Sequence, residues 1–418
     1  MATRTHNPTS APTTSAPTFT TSPNDDPATP SQQSDHWIIP VALLALGTFA
    51  IGTDSFVLAG ILPNLAAGLQ ISEGGAGQVV TAFAITYAIA APFLSALTHR
   101  VPRKTLIAVG LTVFVLMNAA GALAPNFAVL ILTRVLCALG AASFTPTANA
   151  VSTVLAGPAA RGKALSITLG GIALGTVFGV PVGTTIGQRF GWQASLLFVA
   201  AVGLVALVAL LAVLPRLEGE ASVPMRHRFA VMGDPRVILV VLVTAVATGS
   251  GILVYTYIAP ITHAIAGISG TALATGLLIW GIGGAIGAFG CGWFIDRIGA
   301  GLTSALAITL LAVALTIIAF AGSPALVMIA MFFGGIGSWA FVAPDNHMLT
   351  GLHPQMASVV ISFNSTGTYI GQAVGAAAGG ILLTAGLGAS TTVLISVAGL
   401  GVAVILALLA RRVTRQPA

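Results

Sequence analysis

Charge is what this chain has least of. Asp, Glu, Lys and Arg make up 6% of its 418 residues, hydrophobic residues make up 56%, and the mean hydropathy is +0.99. A soluble domain carries about 25% charge, so an ordinary water-facing surface is excluded. Cysteine is scarce too. Cys137 and Cys291 both lie within apolar runs, which implies no disulfide framework and suits small core residues. No metal-ligand spacing and no Gly-rich phosphate loop appears, so no metal, no cofactor and no direct use of ATP is expected. The histidines fall mainly in loops or the N-terminal region, away from any Ser/His pair, so an enzyme is not expected. The net charge of +6 is scattered through short loops, which argues against a nucleic-acid partner.

Long apolar runs fill the rest. About twelve segments reach the roughly 20 residues that a bilayer crossing needs: 37–62, 78–97, 105–123, 126–155, 164–187 and 192–214, then 237–262, 271–295, 303–321, 324–343, 356–384 and 391–410. Continuous apolarity without alternation excludes barrel strands, and backbone groups in lipid must be satisfied within each segment. The expected fold is therefore an all-α membrane protein of about twelve transmembrane helices. By the positive-inside tendency, 14 of the 16 Lys/Arg fall on one side of such a topology, with Arg189 opposite and Arg134 within a span. Both termini are then cytoplasmic, in a multi-pass protein of the cell membrane. Residues 1–36, rich in Thr, Ser, Pro and Asn, read as a disordered cytoplasmic tail. The polar stretch 215–235 reads as a cytoplasmic linker between six-helix bundles at 37–214 and 236–410, with a short tail at 411–418.

Glycine recurs every fourth residue at Gly171, Gly175, Gly179, Gly183 and Gly187, and again at Gly367, Gly371, Gly375 and Gly379, 196 residues later. Spacing of four lines one helix face, and in lipid such a stripe admits a neighbouring backbone. A second landmark repeats at nearly the same offset. The loop after the second segment reads SALTHRVPRK and that after the eighth GWFIDRIGAG, placing Arg100 and Arg297 197 residues apart. Two similar halves related by an axis along the membrane normal are a known transporter plan. The stripes suit either static packing or two surfaces that slide.

On these residues, 37–410 resembles the major facilitator superfamily, specifically its twelve-span drug:proton antiporter branch with arabinose-efflux-type and chloramphenicol-resistance-type exporters. The family's first loop signature is matched by Arg100, Arg103 and Lys104, while Ser95, His99 and Pro102 replace its glycine, aspartate and second glycine. The later copy keeps Gly292, Asp296, Arg297 and Gly299. GTVFGVPVG, with Gly175, Gly179, Pro181 and Gly183, is similar to the antiporter motif of the fifth span, and Arg134 with Gly140 to the motif of the fourth. The resemblance implies a conformational switch at His99, Arg100, Arg103, Asp296 and Arg297 and at the glycines and proline of the fifth span. His99 is either a solvated loop residue or a contact that responds to pH.

Ionisable groups inside spans are costly and therefore informative. Two stand well inside, Asp54 and Arg134, at similar counts from the outer ends of their helices, so they meet if the helices adjoin. They read as a proton-coupling pair or as a structural one. Tyr87, Asn118, Tyr257, Trp280 and Tyr369 are among the aromatic and amide candidates for a cavity, with Tyr255, Trp339, Asn149 and Asn364 favoured for substrate binding. Asp345, His347 and His353 cluster near the inner end of the tenth span and read as a solvated loop in preference to a metal site. The expectation is a monomeric secondary transporter that exports a drug-like or sugar-like small molecule by alternating access, with protons as the counter-ion. The alternative is a membrane sensor or receptor on the same scaffold, without net transport.

Overall fold

Helix propagation in an apolar solvent dictates the architecture. Every peptide group withdrawn from water needs an internal partner, and the long apolar segments satisfy this as helices. The computed structural model describes residues 1–3, 36–98, 100–215, 217 and 233–414, and among these no strand occurs. Expectations for 4–35, His99, most of the 215–235 connection and 415–418 lie outside the described residues.

The first half of the chain contributes α1 (Ile38–Leu69), the short α2 (Glu73–Ala76), α3 (Gln78–Leu97), α4 (Arg103–Ala122) and α5 (Phe127–Leu174). A five-residue π-helix, Gly175–Gly179, leads into α6 (Val180–Phe190), and α7 (Trp192–Val213) follows. The second half contributes α8 (Pro235–Tyr255), α9 (Ile258–Ala266), α10 (Gly270–Ile298), α11 (Ala300–Ala319), α12 (Pro324–Ala340), α13 (Val342–Leu352), α14 (Ala357–Thr384) and α15 (Ala389–Thr414). Side-chain caps start several of them. Asn126 Oδ1 accepts from the Val129 N–H at 3.0 Å, and Asp234 Oδ1 accepts from the Arg236 N–H at 2.9 Å, each satisfying a donor that the helix itself cannot.

Ten helical stretches among the described residues are long and apolar enough to cross a membrane. One of them, Phe127–Phe190, hides a reversal. Gly157 sits at φ 67°, ψ 179°, where a side chain would be strained, and Pro158 follows. Before this break, Arg134 meets Asp54 and Phe144 meets Gly47, so the chain runs antiparallel to α1. After it, Thr168, Gly175, Gly183 and Gly187 meet Thr48, Phe49, Val57 and Ile61 in rising order, so the chain runs parallel. The direction inverts, and the stretch crosses twice. α14, 28 residues long, spans about 42 Å at 1.5 Å per residue, although its Ser, Thr, Asn, Gln and Gly lower its apolarity. Twelve crossings result among the described residues.

The boundaries differ from the sequence expectation in instructive places. α1 continues past Pro63 to Leu69, and the seventh and tenth spans are each two helices, broken at Thr256–Tyr257 and at Phe341. Large apolar side chains such as Ile89, Leu132, Val208, Phe289 and Ile405 stand exposed on the outer faces, where lipid is their solvent.

Both glycine stripes bury against a helix of their own half. Gly171 and Gly175 face the carbonyls of Ala45 and Phe49, while Gly367, Gly371, Gly375 and Gly379 face those of Val241, Ala245, Gly249 and Leu253. In each case the partner precedes the glycine by 126 positions, in both halves. One interface has been built twice, α5–α6 on α1 and α14 on α8. Bare backbone lets the axes close up, so dispersion contacts replace the hydrophobic drive that lipid cannot supply.

Candidate functional site

At the mid-length of α1, Asp54 is fully buried and 15 residues from Leu69, about 22 Å along the axis. This is deeper than a span ending near Pro63 implies. Arg134, two turns into α5, reaches it with both terminal nitrogens. Nη1 donates to Oδ1 at 2.9 Å and Nη2 donates to Oδ2 at 2.7 Å. Such a fork-to-fork pair is the strongest geometry available to these two groups, and Arg134 is only 2% exposed.

Three further residues complete the shell. Asn118 of α4 accepts from Arg134 Nη1 at 3.2 Å, while its amide donates to the Phe114 carbonyl at 3.1 Å and to Cys137 Sγ at 3.2 Å. Cys137 lies 3.8 Å from Asp54 Oδ2. The Phe83 ring of α3 covers the guanidinium at 5.0 Å, a cation–π contact in a dry setting. Arg134 Nε is left without a partner. Sequence spacing alone suggested that Asp54 and Arg134 meet; Phe83 carries no signal that would have singled it out, and Cys137 read only as a packing residue.

From Phe83 the aromatic line continues to Tyr87, with ring centroids 6.2 Å apart, and then to Tyr369 of α14 at 3.8 Å, stacked within 24°. The ion pair of the first half is thus linked by rings to the seam with the second. Across the same seam, Phe56 of α1 packs edge-on against Tyr255 at 5.6 Å and lies 6.1 Å from Trp339. Tyr255 also meets Trp280 at 5.4 Å. Tyr255 and Trp339 are therefore brought together through a residue the sequence reading omitted. Asn149 and Asn364 share no described contact with that cluster. Asn364 Nδ2 donates to Asn346 Oδ1 at 2.9 Å, and the side-chain oxygens of Asn149 and Asn364 are buried without partners.

Contacts between halves concentrate at the end away from the basic loops. Tyr257 Oη donates to the Ala376 carbonyl at 2.8 Å and lies 3.4 Å from the Gly74 carbonyl, and Gly74 also abuts Gly380 and Thr384. Nearer the middle, a Cβ at Gly281 of α10 would come within 2.7 Å of Val177 Cα in the π-helix. Gly175 and Gly179 bound that π-helix, and Gly183 and Pro181 begin the next turns. Pro181 has no N–H to give, which explains a local widening of the helix.

At the opposite end Arg100 is exposed, and the Arg103 N–H donates to the Leu217 carbonyl at 2.9 Å. Asp296 and Arg297 are exposed on α10; Arg297 stacks on Trp293 at 4.0 Å, and Asp296 has no ion-pair partner among the described residues. His99 lies outside the described residues.

One expectation is corrected. Asp345 is no loop residue: it lies in α13, fully buried, with Thr244 Oγ1 donating to Oδ2 and Ser304 Oγ donating to Oδ1, both at 2.7 Å. Ending the tenth span at residue 343 hid it. His353 and Asp234 do lie near an edge, 3.2 Å apart. Among the described residues, no group of His, Cys, Asp and Glu is placed to hold a metal ion.

The model of the Major Facilitator Superfamily matches residues 44–344. The chain is 30% identical over 379 residues, 90% of its own length and 97% of the relative's, to the inner membrane transport protein YdhP of Escherichia coli (strain K12). It is 32% identical over 263 residues, 62% of its length and 67% of the other's, to a chloramphenicol resistance protein of Streptomyces lividans. Among solved structures it superposes with a TM-score of 0.74, at 18% identity, on a bacterial homologue of the human lysosomal transporter Spinster in an inward-facing, unoccupied conformation, covering 92% of this chain and 100% of that one. The chain is therefore a multi-pass membrane transporter, not an enzyme, and belongs to the Major Facilitator Superfamily.

Proposed function

We propose that this transporter exports a small, drug-like molecule from the cytoplasm by alternating access, with protons moving inward, and that Asp54 and Arg134 couple the two. One observation carries the reading: a carboxylate and a guanidinium paired at two points, in a dry site at mid-membrane, one ring away from the seam between halves. Isolated, either charge would be prohibitive there; together they are tolerable, and protonating Asp54 releases Arg134. A group whose proton affinity depends on a movable partner is what coupling needs.

The basic loops mark the cytoplasmic side, and both termini follow them. The halves then touch at the outer end, where Tyr257 Oη lies 3.4 Å from the Gly74 carbonyl, and alternating access requires a cleft that opens inward to load cargo for export. Phe56, Tyr255, Trp280 and Trp339 form its aromatic wall, suited to a flat amphiphile. The π-helix with Gly281 against it, together with Asp296, Arg297, Arg100 and Arg103 at the basic end, forms the switch. All of these groups come from a single chain, so a monomer suffices. The S. lividans relative makes chloramphenicol the first probe.

In vesicles loaded with an imposed pH gradient, uphill chloramphenicol movement is expected from the native chain and not from Asp54→Asn, with membrane insertion intact. Gradient-driven transport that survives in Asp54→Asn overturns the coupling role. Binding without flux in the native chain favours a sensor instead.

A further inference from the structure

Of the two fully buried acids among the described residues, Asp54 has a counter-charge and Asp345 does not. Asp345 lies in the second half, in a span interrupted one turn earlier at Phe341, between Ala340 and Val342. Each carboxyl oxygen takes one hydroxyl, Thr244 from α8 and Ser304 from α11, both at 2.7 Å. No cation lies within ion-pair distance among the described residues.

We propose that Asp345 is a second proton-binding site, which holds a proton in this conformation and clamps α13 to α8 and α11 while it does. Its use in transport rests on the proton-coupled reading above; its occupancy does not.

The elements packed against α13 are α8, α10, α11, α12 and α14, and α15 touches it where Thr414 Oγ1 donates to Met348 Sδ at 3.7 Å. Only Thr244 and Ser304 reach the carboxyl from them. The charged groups these elements carry are Arg236, already bonded to Asp234, Asp296 and Arg297, both exposed at the end of α10, and Arg411 and Arg412 at the end of α15, where Arg411 packs on Gly301 of α11; none forms an ion pair with Asp345 among the described residues. His347 lies on α13 itself without a bond to the carboxyl, and α11, α12 and α14 carry no charge. Two neutral hydroxyls do not offset the desolvation of a carboxylate, whereas a neutral carboxylic acid in the same place is an ordinary hydrogen-bonded polar group, its O–H donating to one of the two hydroxyls while its carbonyl oxygen accepts from the other. The two buried acids stand in unlike settings, Asp54 against the Arg134 guanidinium and Asp345 against two hydroxyls.

The geometry also says what loss of the proton would do. An unpaired charge would appear where three helices meet, next to a break at which the helix can bend. Two outcomes relieve it: water enters, or the hydroxyl contacts part. Either loosens the clamp. Symmetry adds a second point. At the 196-residue offset of the glycine stripes, Asp345 corresponds to Asn149 and Asp54 to Ser250. Among the described residues each half therefore carries one fully buried acid, and a cycle that used both would move two protons.

Infrared spectroscopy of the full chain in lipid tests the occupancy without any substrate. At neutral pH the native protein is expected to show the carbonyl stretch of a protonated carboxyl, displaced in heavy water, absent in Asp345→Asn and retained in Asp54→Asn. Ser304→Ala and Thr244→Val keep the acid and are expected to raise the band's frequency by removing a hydrogen bond, which preserves the test if Asp345→Asn does not fold. A native spectrum lacking that band, or unchanged by all three substitutions, overturns the proposal. Loss of the band on adding sodium at fixed pH overturns it as well, because the site would then prefer a metal cation. A normal band alongside proton-driven transport in Asp54→Asn would sink the earlier reading and leave this one standing.

Discussion

Replacing Arg134 by glutamine asks how much of the first half's stability resides in one ion pair. The native arginine donates to both Asp54 oxygens and to Asn118 Oδ1. Without it, Asp54 keeps only the distant Cys137 thiol, 3.8 Å away, at zero exposure. Removing one member of a buried pair costs about 3–5 kcal/mol, because the survivor stays buried and unpaired. Changing Asp54 to asparagine as well leaves two neutral amides that can bond to each other. The double variant is expected to lie only about 1–2 kcal/mol below the native protein; because Asp54→Asn alone also leaves a buried unpaired charge at a cost of about 3–5 kcal/mol, the coupling between the sites is about 4 kcal/mol or more. Both native cysteines are buried, so a thiol-reactive fluorophore reports thermal unfolding in detergent without added labels. The expected order of stability is native, then double variant, then Arg134→Gln. Additive losses, with coupling under about 0.5 kcal/mol, would refute the claim that the two charges depend on each other.

Glycine substitutions on α10 should divide by face. A Cβ at Gly287 collides with the Ile336 backbone of α12, whereas one at Gly290 meets nothing within 4 Å. Thermal unfolding should then show Gly287→Val losing about 1–3 kcal/mol to overpacking and Gly290→Ala unchanged or slightly stabilised. Tyr257→Phe removes the hydroxyl that bonds Ala376 and approaches Gly74. A loss of about 0.5–1.5 kcal/mol from the closed outer end should move spin-label distances across that seam toward the open state. At the start of α8, hydrogen bonds from Arg236 hold the Asp234 carboxyl down at about 2, below its ordinary 3.8. A depressed value means stability present above the unfolded range and lost as pH falls through about 2. The difference between native and Asp234→Asn unfolding temperatures should therefore be small but steady near neutrality and should close below about pH 4.

The chain's apolar runs and their lengths were enough to determine a helical membrane protein, because lipid leaves the backbone no other way to satisfy itself. Glycines at spacing four and an offset of 196 residues likewise announced a duplicated helix contact. What the linear pattern could not contain was direction and partnership. That Gly157 reverses a long helix, that Phe56 joins Tyr255 to Trp339, and that Cys137 sits beside Asp54 all depend on which faces meet after packing. Asp345 shows the limit most plainly. Beside two histidines at the end of an apolar run it reads as a wet loop, and only the folded bundle, which surrounds it with Thr244 and Ser304 and withholds a cation, turns it into a buried acid. Period and composition report local solvent preference; a site's chemistry comes from neighbours far along the chain, which tertiary packing alone selects.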